Sequence, residues 1–281
     1  MTPKDLKRES EHLERTPRMP VLFVGHGSPM NAIEENAFSR GWREVAGTLP
    51  RPRAILCVSA HWETDGTLVT AMERPRTIHD FGGFPEELYA ARYPAPGSPS
   101  LAAETRTAVR SVPVGVDERW GLDHGCWSVL MQMYPEADVP VVQLSLDTGK
   151  PGSYHFELAR ELAPLRDRGI LIIGSGNLVH NLRRMEIRGG SGDDFNTPYG
   201  FDWALDANAL FKKLIDEERY GELGNYRGLG SAVQLAVPTP DHYYPMLYAV
   251  GLKQKGETIR YFNDEPVAGS LTMTSMVIGE E

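Results

Sequence analysis

Four short apolar runs in this chain each lead, within a few residues, to a histidine. VLFV runs into Gly25-His26-Gly27-Ser28-Pro29 and AILCV into Ser59-Ala60-His61-Trp62. ILIIG runs into Ser175-Gly176-Asn177-Leu178-Val179-His180-Asn181, and VQLAV into Pro238-Thr239-Pro240-Asp241-His242-Tyr243. Runs of this length and β-branched content read as buried strands. The pattern predicts strands over Val21–Val24, Ala54–Val58, Val141–Leu144, Gly169–Ile173 and Val233–Val237. Amphipathic stretches over Pro99–Val112, Tyr154–Arg168 and Phe201–Glu218 lie between them, and Trp203, Leu205, Leu210 and Leu214 fall partly on one helical face. Strands alternating with helices predict an α/β fold with a largely parallel, mixed central sheet flanked by helices. Ser270–Ile278 reads as a terminal strand that joins antiparallel.

No repeat, long linker or low-complexity block divides the 281 residues, so a single domain is expected over 19–281, preceded by a charged N-terminal extension over 1–18. That extension has no apolar stretch of the kind a signal peptide needs, and no segment is long and apolar enough for a membrane span. A cytoplasmic location without membrane association is the resulting expectation. The formal net charge of -9 argues against nucleic acid as a partner. The two cysteines, Cys57 and Cys126, exclude a disulfide framework and a cysteine-rich metal site.

A lone histidine is more often surface or satisfied core than ligand. Four histidines at the same end of strands are different, because ligands of open α/β sheets bind beyond the carboxyl ends of their strands. Gly25 and Gly27 do not discriminate, since any tight turn after a strand uses glycine. His124, in LDHGCW, has two readings: a proton-transfer group, or a bystander behind Asp123 acting as a helix cap. His79, in IHDFGGFP, sits in a loop rich in glycine and aromatics, either a substrate wall or a packed surface loop. His12 and His155 carry no functional assignment.

The segments GHGSP, SAHWE, IHDFGGFPEELY, YPAPG, LDHGCW, GSGNLVHN and PTPDHYYP span Gly25 to Pro245. Together they resemble the class III extradiol ring-cleaving dioxygenases, and among them the DOPA extradiol dioxygenase-like branch. The resemblance implies a non-haem Fe(II) enzyme that opens a catechol ring beside its two hydroxyls with O₂. It implies His26 and His61 as metal ligands and His242 as a third, where other class III enzymes supply a glutamate. It places His180 at the metal, as a further ligand or as the acid–base residue, and His124 against substrate. Three ligands on one face leave positions open for two catechol oxygens and for O₂. A base must then take a hydroxyl proton and an acid return one, with His180 and His124 as the candidates.

A three-histidine site also suits Zn(II), which has no redox chemistry, so isolated protein can hold zinc while iron does the work. Asp241 is a possible ligand, but reads better as the cap of a helix over His242–Leu252. The aromatic walls expected for a catechol are Trp62, Phe81, Phe84 and Tyr243. Two other functions compete: a zinc hydrolase, which lacks an HExxH segment and has only Glu63 as a nearby general base, and a non-catalytic metal-binding protein, in which His124 and His180 have no purpose. Neither the oligomeric state nor the physiological catechol is legible.

Overall fold

The computed structural model describes residues 18–188 and 195–279. Residues 1–17, which make up almost all of the expected extension and include His12, lie outside the described residues. Eight strands form one sheet in the order β4-β3-β5-β2-β6-β1-β10-β7. Its centre is β1 (Val21–Gly25), β2 (Ala54–Glu63), β5 (Val141–Leu146) and β6 (Ile170–Gly176). These four pair in parallel, β1 with β6, β6 with β2 and β2 with β5.

The outer strands make the sheet mixed. β3 (Thr67–Thr70) lies antiparallel to β5 and parallel to β4 (Val114–Asp117). β10 (Ser275–Gly279) runs antiparallel to both β1 and β7 (Thr258–Phe262). The predicted terminal strand is therefore present, but it breaks in two. Leu271–Thr272 (β9) pairs instead with Pro266–Val267 (β8) in a small separate ribbon.

Strand residues alternate between the two faces, and each face has its own core. Val21, Phe23, Leu56, Val58 and Ile172 pack on one side, with residues of α3 (Pro99–Ala108), α5 (Gly152–Glu161), α7 (Asp202–Asp216) and α10 (Tyr244–Gly251). Leu22, Val24, Ile55, Cys57 and Ile173 pack on the other, with α1 (Ala37–Thr48) and α4 (His124–Met133). The central strands read as continuous apolar runs because both of their faces are covered. The remaining helices are α2 (Glu86–Ala90), α6 (Ala163–Arg166), α8 (Tyr220–Gly224) and α9 (Ser231–Ala236). Among the described residues no helix is long and apolar enough to cross a membrane.

Two local expectations need correction. Val233–Val237 is no strand: it falls on α9 and the cap that follows. Its buried members, Val233, Ala236 and Val237, stand at i, i+3 and i+4, which is helical spacing, and Gly230 at the cap has φ +106°, a left-handed conformation suited to glycine. A short apolar run does not distinguish the two structures. Nor does Asp241 cap a helix over His242–Leu252. α10 begins at Tyr244 with no side-chain cap, and the Asp241 carboxylate is engaged by the neighbouring imidazole.

Candidate metal centre

The carboxyl ends of β1, β2 and β6 lie side by side, and each delivers a histidine. His26 follows β1 directly, and its backbone N–H donates to Gly176 O at 3.0 Å, at the end of β6. His61 stands within β2, two residues before its end, and His180 follows β6 by four residues. His242 arrives differently, on the loop between α9 and α10. That loop and the first turn of α10 press on β6: a Cβ at Gly176 would collide with the backbone of His242, and one at Gly174 with that of Pro245. Asn177 N–H donates to His242 O at 2.9 Å and pins the loop there. His124 opens α4, which Asp123 caps by accepting the Cys126 N–H at 3.1 Å. The capping reading of Asp123 thus holds, but it is compatible with His124 facing the cluster. A Cβ on Gly125 would sit 2.5 Å from Ser59 Oγ and 2.8 Å from His61 Cδ2, so only glycine lets α4 approach β2 this closely.

Five imidazoles meet as a result. Ring centroids are 5.0 Å apart for His26 and His61, 5.2 Å for His26 and His242, 4.9 Å for His61 and His242, and 3.8 Å for His61 and His124. His180 lies flat on His242 at 3.5 Å with an interplanar angle of 5°. Two compact donor sets emerge, His26–His61–His124 and His180–Asp241–His242, each with ligand atoms within 4.8 Å of one another.

Hydrogen bonds select which nitrogen of each ring is free. The Ser175 hydroxyl gives its one proton to Gly125 O, so at 3.0 Å from His26 Nδ1 it can only accept. His26 therefore carries its proton on Nδ1 and its lone pair on Nε2. A carboxylate does the same elsewhere: Asp80 Oδ2 accepts from His124 Nδ1 at 2.9 Å, and Asp241 Oδ2 accepts from His242 Nδ1. His61 Nε2 lies 3.1 Å from His26 Nε2. That is the spacing of two neighbouring ligands on one ion with bonds of roughly 2.1 Å. Histidines whose other nitrogen is held by a carboxylate or hydroxyl are the usual pattern around protein-bound metals.

Four of the five imidazoles are held neutral, with burial the first cause for each. Burial pushes His26 and His242 well below the ordinary imidazole range, helped by the neighbouring rings. His61 falls to about 3, from burial first and then His124, against the raising effect of Asp80; His180 falls to about 4, mainly from burial. Burial acts to raise Asp80, but its bonds to His124 outweigh that and hold it in the ionised range. Neutral imidazoles flanked by two carboxylates form a donor set suited to a divalent cation.

The aromatic residues divide. Phe81 packs edge-on to His124 at 5.6 Å and Phe84 packs on Phe81 at 5.3 Å, both partly exposed. Trp62 is only 2% exposed and stacks on Trp120 at 5.8 Å. Tyr243 is fully buried between Phe211 and Tyr226, with its hydroxyl donating to Leu223 O at 3.0 Å. Neither has surface to offer a ligand, so both leave the expected substrate wall: strand alternation turns Trp62 away from His61, and the loop turns Tyr243 into the core. His79 is held by Ala91 O at 3.0 Å and packs on Phe81, behind the site. His155, fully buried, spans Tyr248 and the Asp147 carbonyl inside the core. Glu63, the base that hydrolysis would need, is exposed at the end of β2. The residues the sequence reading passed over are Asp80 and Ser175. Asp80 stood in the IHDFGGFP segment, one residue after His79, but no periodicity marks a loop carboxylate. Ser175 lay within a strand end.

Known proteins share this architecture. A family model for the catalytic LigB subunit of aromatic ring-opening dioxygenase matches residues 18–259. The 4,5-DOPA dioxygenase extradiol of Escherichia coli K12 is 50% identical over 266 residues, covering 93% of this chain and 95% of that protein. The 4,5-DOPA dioxygenase extradiol of Beta vulgaris is 39% identical over 242 residues, 82% of this chain and 85% of that protein. The crystal structure of an uncharacterized E. coli K12 protein superposes with a TM-score of 0.79 at 43% identity, covering 93% of this chain and all of that one. With its mixed sheet, its histidines gathered at the strand ends and a match along nearly its whole length, the chain belongs to the LigB family of class III extradiol, ring-opening dioxygenases.

Proposed function

We propose that this protein opens the ring of a catechol such as DOPA next to its two hydroxyls, consuming O₂, with one Fe(II) held by Nε2 of His26, His61 and His242. The observation that supports this most is the shared aim of the imidazoles. Ser175 and Asp241 occupy the Nδ1 positions of His26 and His242, and His61 Nε2 faces His26 Nε2. When bound, the iron supplies the electron transfer that O₂ needs before it can react with an aromatic ring. Zinc fits the same three nitrogens but supplies no such transfer.

The chain's own residues account for binding and protons. His180, stacked on His242 and kept neutral by burial, has a lone pair to accept a catechol hydroxyl proton. His124 lies against His61, with its Nδ1–H committed to Asp80 and its Nε2 free, and is placed to hold or return a proton at a substrate oxygen. Phe81, edge-on to His124, and Phe84 behind it supply apolar wall for the ring. The expected outcome is that anaerobically Fe(II)-loaded protein takes up O₂ with a catechol and yields a yellow ring-opened product, whereas zinc-loaded protein does not. An oxygen electrode and a panel of catechols measure this. Equal turnover with both metals would mean a non-redox reaction and would remove the proposal.

A further inference from the structure

Asp80 makes more contacts with the histidine cluster than any other carboxylate among the described residues. Its two oxygens divide the work. Oδ1 accepts the backbone N–H of His124 at 2.9 Å, while Oδ2 accepts His124 Nδ1–H at 2.9 Å and lies 3.5 Å from His61 Nδ1. One carboxylate oxygen thus faces the Nδ1 atoms of two imidazoles, whose ring centroids are only 3.8 Å apart. The loop carrying it is tied down twice at Ile78, two residues before Asp80. Ile78 N–H donates to Leu122 O at 2.7 Å, and Trp127 Nε1–H donates to Ile78 O at 2.7 Å, binding the loop to the start and body of α4. Asp80 is therefore delivered to the cluster at a defined depth and not by a free surface loop.

We propose that Asp80 is a positioning residue for two histidines: it holds the proton of His124 on Nδ1 so that its Nε2 lone pair faces the centre, and it is placed to take the Nδ1–H of His61 when that ring gives up its Nε2–H contact with His26 and turns Nε2 to a metal. The proposal rests on the reading that His61 holds the metal. An ionised carboxylate can only accept hydrogen bonds. Either ring could otherwise place its proton on Nε2, where it would block ligation by His61 and remove the acceptor from His124. Because α4 begins at His124, the same carboxylate also anchors the first N–H of that helix and so fixes where His124 stands relative to β2.

Asparagine at this position makes a sharp test. It has one acceptor oxygen where aspartate has two. The backbone N–H of His124 has no tautomer and must keep that oxygen, which leaves the amide NH₂ facing Nδ1 of both imidazoles. Those nitrogens then become acceptors: the His124 proton moves to Nε2, and the His61 proton is held on Nε2, where it blocks ligation. Glutamate restores an acceptor-only group and should return the His124 proton to Nδ1.

The tautomers are read directly from ¹⁵N shifts of the histidine rings in the metal-free full-length protein, and zinc affinity from chelator competition. In metal-free wild-type protein, His124 is expected with pyridine-type Nε2. In Asp80→Asn His124 is expected with pyridine-type Nδ1, and zinc Kd is expected to rise roughly 10–100-fold, the range typical of lost outer contacts to metal ligands. Asp80→Glu should recover most of that loss. A folded Asp80→Asn protein with unchanged ring shifts, or with zinc Kd within twofold of wild type, overturns the proposal. If that variant does not fold, the wild-type spectrum still decides, because Nε2–H on His124 contradicts the assignment. Neither readout uses catechol turnover, so failure of the ring-opening reading and failure of this one are distinguishable.

Discussion

Replacing His26 by alanine should strip the protein of its metal and its turnover together. His26 is 1% exposed, faces His61 Nε2 at 3.1 Å and is held by Ser175. Binding of about 10–16 kcal/mol for a zinc site with four ligands shares out at about 2.5–4 kcal/mol per ligand. Losing one such bond lowers affinity roughly 10²–10³-fold on that scale. The expected result is a metal content near zero after dialysis, measured by elemental analysis, and no oxygen uptake. Retention of a full equivalent of metal would show that His26 is not a ligand.

His124→Phe separates the two chemistries of the cluster. Phenylalanine fills much of the same space, and Asp80 keeps its place beside His61 through the backbone N–H of residue 124. The variant is expected to bind a full equivalent of metal and to lose turnover by roughly 10²–10⁴-fold, the usual contribution of a positioned acid–base group. The geometry makes this a real contest, since His26, His61 and His124 also form a compact donor set of their own. Metal lost with His124 would make it a ligand. Full turnover without it would reduce LDHGCW to a helix cap. The parallel variant His180→Ala sorts its residue by the same pair of measurements.

What could be read without coordinates follows from what periodicity encodes. β1, β2 and β6 are covered on both faces, so each appears as an unbroken apolar run, and the histidines beyond them were visible for that reason. The fourth run failed because VQLAV is too short to show whether its period is two or three and a half; it is α9, and His242 reaches the site through the loop that β6 glycines accommodate. β3 and β4, four residues each, carry too little pattern to stand out. In the site, residue types with strong chemical identity were found and their partners were not. Nothing local to IHDFGGFP says that its aspartate, rather than its histidine, faces the cluster. Ser175 is invisible for the same reason, since its role depends on β6 lying beside β1. Trp62 and Tyr243 show the converse error. Both sit next to a site histidine in sequence, and adjacency in a strand or a turn points a side chain elsewhere.

The proposed site has His26, His61 and His242 holding one ion and His124 standing apart from it. Anomalous diffraction from crystals of the metal-loaded protein tests it most directly. The account predicts a single strong peak at coordination distance, roughly 2.0–2.2 Å, from Nε2 of those three residues, with His124 Nδ1 still on Asp80. A peak enclosed by His26, His61 and His124, or one seated between His180 and Asp241, would contradict it.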